Sequence, residues 1–386
     1  MQLLEELKVS PYRLFFPIGI VGLLYALFRM ILPFSGEGVY WHREAMIGLF
    51  LLPVAVGFLF TAGPKFFASF LPHEGELLGA GVLFISMFLF SLLDLRPAFH
   101  VAKTALLLLL ISFLTLRFIK RRSENPIFSS FVFLGPLTGL AGSISALVSH
   151  YSSNPVFYEM SRSLYYHGMF WILFFGVGVR FFPMITFTTG GLRELTPYEK
   201  FVSSSQALWL TISVILAVTF LLEGAGYVKT SMWIRAFILL FMAKEGWLLF
   251  LKSPRRGVFT FFLKAGLWTT LLAHFVFPLF SDQRMHLYHF VFVAGLMMGT
   301  LLVMGRVSLA HERLPPDTEV KSRVAATAFA LIYGAAWVRA TAHILPSYLS
   351  HLRYASGMAM IGVILLAGLY IYLYRKEHGR PFTLLM

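Results

Sequence analysis

The chain contains no cysteine. This excludes thiolate ligation of a metal, cysteine-held iron–sulfur clusters, covalent haem attachment through CxxCH and structural disulfides. Charge is scarce as well: 13% of the residues are Asp, Glu, Lys or Arg, against about 25% in a soluble domain. Acids are scarcer than bases, 18 against 32, for a formal net charge of +14. No Walker motif, dinucleotide fingerprint or zincin motif is present, so nucleotide-driven transport within this chain is not expected.

What is abundant is apolar surface, 58% of the residues, with an aromatic share of 17%. Twelve apolar stretches reach membrane-spanning length, about 17 to 25 residues. In the first half they run roughly Leu14–Leu32, Ala45–Phe67, Leu77–Leu93, Ala98–Phe118, Ile127–Ser149 and Leu164–Phe187. The second half gives Gln206–Leu222, Ser231–Leu251, Val258–Phe280, His286–Val307, Ala325–Leu345 and Ser356–Tyr374. The runs are continuous rather than alternating, which argues against a transmembrane barrel. Their connections are short, so backbone polar groups must be satisfied inside helices. The expected fold is all-α: a polytopic transmembrane bundle of about 12 spans, one integral-membrane domain over residues 1–386, with pseudo-halves 1–200 and 201–386 as a further expectation.

An even number of spans puts both termini on one side. That side carries 18 Lys and Arg residues in its loops and the other side 6, so both termini are expected in the cytoplasm. No cleavable signal is expected at the N-terminus. The basic excess is explained by topology and contact with anionic membrane lipids, with no nucleic acid partner.

With this orientation the histidines divide unevenly. His42, His100, His150, His167, His274, His286, His289, His343 and His351 fall toward the outer side, and only His73, His311 and His378 toward the cytoplasm. Neutral imidazole is a common ligand of haem iron and copper. Without cysteine, any bound metal must be held by histidine, helped by carboxylate or methionine. His286 and His289 lie three apart and share a helix face, and His42 caps the outer end of the second span; these three are the leading ligand candidates. For each, the alternative reading is an interfacial histidine bonded to a headgroup, water or a carbonyl.

Arginines within spans are costly. Arg29, Arg235 and Arg339 lie at about the depth of the outer histidines, where they would neutralise haem propionates or snorkel to the headgroups. Arg180 and Arg306 sit toward the inner ends, where a guanidinium complements the helix dipole. Within the spans Glu245 is nearly alone as a carboxylate, while Glu44, Asp94 and Glu223 sit near outer ends. A long proton relay from the cytoplasm, and hence a pump, is poorly supported.

Three segments carry a family pattern. The first is Trp41-His42-Arg43-Glu44-Ala45-Met46, followed by Gly57-Phe58-Leu59-Phe60-Thr61-Ala62-Gly63-Pro64. The second is Gly178-Val179-Arg180-Phe181-Phe182-Pro183-Met184-Ile185-Thr186. The third runs from His289 through Met304-Gly305-Arg306-Val307-Ser308-Leu309-Ala310-His311. These resemble the NnrS family of membrane proteins, whose segments read Trp-His-x-His-Glu-Met with Ala-Gly-Phe-Leu-Leu-Thr-Ala-Val-Pro, then Gly-Gly-Arg-Val-Ile-Pro-x-Phe-Thr, then His-Ala-x-Thr-Val-Gly ending in Met-x-Arg-Val-Ser-Leu-Gly-His. The matching positions are His42, His289, Arg180, Arg306 and His311, with His274 a weaker match. Glu44 stands where the family has its second motif histidine.

The resemblance implies a haem- and copper-containing protein of the bacterial cytoplasmic (inner) membrane, associated with denitrification, nitrosative stress and the nitric oxide response. Haem of unspecified type, and copper as a further metal, are the expected cofactors; His42, His289, His286, His274, Arg339 and Arg235 are the expected cofactor-binding residues. Nitric oxide is the expected ligand, and a quinol or an outer-side donor the expected electron source. Whether the chain is an enzyme stays open, since no catalytic motif is established. The alternative is a cofactor-free secondary transporter of a small molecule, which inverted halves with interrupted helices would favour.

Overall fold

The computed structural model describes residues 2–32, 36–124, 128–152, 154–187 and 205–379. Among them there is no strand, and eleven helices are long and apolar enough to cross a membrane. In chain order these are α1 Tyr12–Ile31, α2 Glu37–Phe66, α3 Glu74–Leu92, α4 Arg96–Ile119, α5 Ser129–Ser152, α6 Pro155–Phe187 and α7 Gln206–Gly224, then α9 Val258–Val276, α10 Ser281–His311, α11 Arg323–Ile344 and α12 Tyr348–His378. Between α7 and α9 stands α8, Val228–Phe241, continued by a π-helical turn Met242–Gly246. It occupies the place of the expected eighth span, but carries Lys229, Arg235, Lys244 and Glu245. The expected division into halves at about residue 200 falls outside the described residues.

Consecutive helices pack side by side, and α12 returns against α1 to close the bundle. Both ends of the chain meet at one end of it. Arg13 binds Glu312 with Nε 2.7 Å from Oε1 and Nη2 2.8 Å from Oε2, and the His378 ring approaches the Glu312 carbonyl to 3.2 Å. The opposite end is called the outer end below.

Three helices differ from the others. The apolar windows of α2, α6 and α10 are 83%, 72% and 61% buried, the highest values in the bundle. All three exceed the apolar runs read from sequence, because their outer ends carry polar residues such as Trp41, His42 and Glu44 that are covered by protein rather than lipid. Each also contains a π-helical stretch in its outer half: Ala45–Leu51, Arg162–Gly168 and Phe290–Met297. π turns often mark functional sites, because they widen the helix and re-aim the side chains around them.

The widened stretches are each met by a glycine of the preceding helix. A Cβ on Gly22 would lie 1.9 Å from the Leu49 carbonyl oxygen, one on Gly142 2.5 Å from the Tyr165 nitrogen, and one on Gly266 2.2 Å from the Ala294 carbonyl oxygen. Only the missing side chain lets backbone approach backbone so closely. The same arrangement thus recurs every fourth helix: α1 on α2, α5 on α6 and α9 on α10.

Candidate functional site

The outer halves of α2, α6 and α10 enclose a cavity that α1, α11 and α12 complete. His42 and His289 both line it. Each stands just before a π-helical stretch, His42 three residues ahead of Ala45 and His289 directly ahead of Phe290. His42 Nδ1 lies 2.9 Å from the Ala26 carbonyl oxygen of α1, and His289 Nδ1 lies 2.8 Å from the Met285 carbonyl oxygen one turn back. A ring nitrogen facing a carbonyl is the donor, so both rings carry their proton on Nδ1. Among the described residues neither Nε2 has a hydrogen-bond partner. An imidazole fixed through Nδ1–H to a carbonyl, with Nε2 free, is the usual arrangement of a metal-binding histidine.

Three guanidinium groups stand around the same cavity: Arg43, Arg162 and Arg339. Arg43 lies 4.4 Å from the centroid of the Tyr166 ring and donates to the Tyr158 hydroxyl at 3.2 Å. Arg339 donates to Nδ1 of His286 at 3.1 Å. Among the described residues neither Arg43 nor Arg339 has a carboxylate within 4.0 Å, whereas Arg162 pairs with Glu159 at 2.6 Å. Two cations without a carboxylate in a confined space suit a carboxylate-bearing ligand. For a single metal ion, no three histidine, aspartate or glutamate side chains come together among the described residues.

The other residues expected at the site are distributed elsewhere. His286 shares α10 with His289 but turns away from the cavity; its ring stacks on His343 with centroids 4.4 Å apart. His274 is wholly buried in α9, with Nδ1 2.6 Å from the Thr270 carbonyl and its ring 4.4 Å from Trp171. Arg235 has no exposure either and is engaged by Glu223 at 2.8 Å. Tyr288 donates to the other oxygen of Glu223 at 2.8 Å. Arg306 binds Glu319 at 2.6 Å, together with Arg255 at 2.6 Å. His311 lies 3.0 Å from Lys65 Nζ, and Arg180 is exposed. These three family-motif positions thus sit away from the cavity, toward the end where the termini lie.

Several lining residues were not among the site residues read from sequence: Arg43, Arg162, Tyr166 and Tyr288. Arg43 was legible in principle, since it adjoins His42 in the first motif. The reading of Glu44 as one of few carboxylates near an outer end holds, and the structure adds its partner. Glu44 and Lys103 are both fully buried, 3.3 Å apart, and the Tyr166 hydroxyl donates to the same carboxylate. Lys103 was also legible, as a lone cation inside an apolar run that had to find an acid. An outward-facing basin lined by Tyr40, Arg96, His100 and His150 shares Arg43 and Tyr166 with the cavity.

No curated protein matches this sequence. The family model described as NnrS protein matches residues 7–377, a stretch that takes in α1 to α11, nearly all of α12 and all three motif segments, and the chain therefore belongs to the NnrS family.

Proposed function

We propose that this protein holds a haem in the outer cavity, where His42 and His289 would ligate it, and that nitric oxide is the molecule it binds, senses or turns over there. Membership of the NnrS family and the helical membrane fold fit a membrane protein of the nitric oxide response. The observation that carries the finer reading is the pair of imidazoles on one cavity, each tied through Nδ1 to a carbonyl and each with Nε2 unbonded. Arg339 and Arg43 would neutralise the propionates, with Arg162 nearby. Arg235 has no part in this, because Glu223 engages it. When bound, the haem would supply a redox centre and a coordination position for nitric oxide.

The cavity holds about 210 Å³, above the roughly 150 Å³ that takes a benzene ring but below the bulk of a macrocycle. Met30, Met46, Met285 and Met297 line it, and methionine side chains move aside more readily than branched or aromatic ones. His42 and His289 would hold the haem, and the space beside their rings would admit nitric oxide. Protons for a reduction would come from the outer basin through Tyr40, His100 and Tyr166, which fits the scarcity of carboxylates within the spans. Electrons would come from a quinol or an outer-side donor, and the host membrane would be the bacterial inner membrane. Copper has no assigned seat among the described residues.

The test is an anaerobic absorption spectrum of protein purified from haem-replete cells, oxidised and reduced, with and without nitric oxide, beside iron and copper analysis. A stoichiometric Soret band that shifts with nitric oxide is the expected result. Haem without a shift would reassign the site to electron transfer. Reproducible absence of haem after supplementation would move the assignment to a cofactor-free transporter. The recurrence of inner helices at every fourth position, rather than as two inverted halves, favours the haem reading over that one.

A further inference from the structure

Directly inward of the histidine cavity, the same helices α2, α6 and α10, with Phe16 of α1, line a second, partly open cavity of about 70 Å³. Leu51 lines both, and Leu296 of the inner one adjoins Met297 of the outer. The wall is aliphatic and aromatic, including Val54, Ala55, Phe58 and Phe174; Thr300 is its only residue with a polar side chain among the described residues. A buried water needs about two to four hydrogen-bond partners, so a space with this wall stays dry. An apolar cavity of roughly 150 Å³ takes benzene or xenon; about half that volume admits a monatomic or diatomic gas and excludes a ring.

The three family-motif segments converge here. Phe58 comes from the first, Gly178 and Phe182 from the second and Met304 from the third, and all four line this cavity. A Cβ on Gly178 would stand 2.3 Å from the Phe182 ring, so the glycine is what lets that ring lie flat against α6 beside the void. The metal ligation proposed above uses none of these residues.

We propose that the inner cavity is a docking site for a small apolar gas molecule, which passes Leu51 to reach the histidine cavity. That the gas is nitric oxide rests on the functional reading above; the site itself rests on volume, wall chemistry and position. Apolar solutes concentrate in surroundings of this kind rather than in water, so the cavity would hold the ligand next to its destination.

Xenon is the probe, applied to the full-length protein in nanodiscs, with and without haem. A structure determined under xenon pressure is expected to place one atom between Ala55, Phe174 and Thr300 in both preparations, and Ala55→Phe is expected to abolish it. In haem-loaded protein the same substitution should slow nitric oxide recombination after photolysis several-fold while leaving the equilibrium spectrum unchanged. If Ala55→Phe does not fold, Ala55→Leu fills less of the space and serves the same purpose. Absence of xenon from the cavity, or a lipid chain occupying it, would overturn the site. Xenon in place with unchanged recombination in the filled variant would overturn its role as a way in. Because the xenon arm needs no haem, failure of the haem assignment and failure of this one give different results.

Discussion

His289 and His274 stand on neighbouring helices, α10 and α9, and both turn Nδ1 to the carbonyl four residues behind, at 2.8 and 2.6 Å. Their surroundings separate them. His289 opens onto a cavity where Arg43 and Arg339 have no carboxylate partner among the described residues, whereas His274 is packed against Trp171 beside the Glu223–Arg235 pair. On the function proposed above, the same local bond prepares one ring for a ligand and merely fixes the other. What distinguishes a binding histidine from a structural one is the free space at Nε2 and the sign of the uncompensated charge around it.

The largest expected effect tests that contrast directly. His42→Ala or His289→Ala should remove the Soret band from purified protein, while His274→Ala should retain it; loss in all three would erase the distinction drawn here. Next comes the buried pair. Arg235→Ala leaves the Glu223 carboxylate uncompensated, which costs about 3–5 kcal/mol, and should lower the unfolding temperature sharply. Replacing both partners, Arg235→Met with Glu223→Gln, should recover most of that loss, since no lone charge remains buried. Failure of the double variant to recover would mean that the pair does more than balance charge.

A smaller effect is expected at the rim. If Arg339 holds a propionate as proposed, Arg339→Gln would remove one charge-assisted contact, about 1.5–3 kcal/mol, and should raise the haem dissociation rate by about tenfold or more without abolishing the spectrum. An unchanged rate would leave Arg43 and Arg162 as the anchors. The smallest concerns the end where the termini meet. Glu319→Gln weakens the contacts to Arg255 and Arg306 and should lower the unfolding temperature modestly with no change in the spectrum, because this cluster ties helix ends together far from the cavity.

The sequence made the two histidines of the cavity legible only in part. His42 and His289 stood out because the first and third motif segments carry them. His286 looked equivalent to His289, being three residues away on the same helix, but its ring turns to Arg339 and His343. Arg235 looked like a propionate partner at the right depth, and no pattern in the chain told that Glu223, twelve residues earlier, would reach it first. Lys103 escaped notice because an apolar run is scored by its sum, which one lysine barely alters, although a buried ammonium dictates a buried acid.

The sequence by itself determined the class of this protein: missing cysteines and scarce charge removed whole families of chemistry, the length of the apolar runs required membrane helices, and three motif segments identified the NnrS family. Tertiary structure decided which side chains meet. Hydropathy adds up along a chain and survives any rotation of a helix, but facing does not. Each residue turns the helix by about 100°, so a π-helical stretch beside a histidine changes which neighbours share its face. Only packing, in which Gly22, Gly142 and Gly266 draw partner helices onto those stretches, fixes what His42 and His289 look upon.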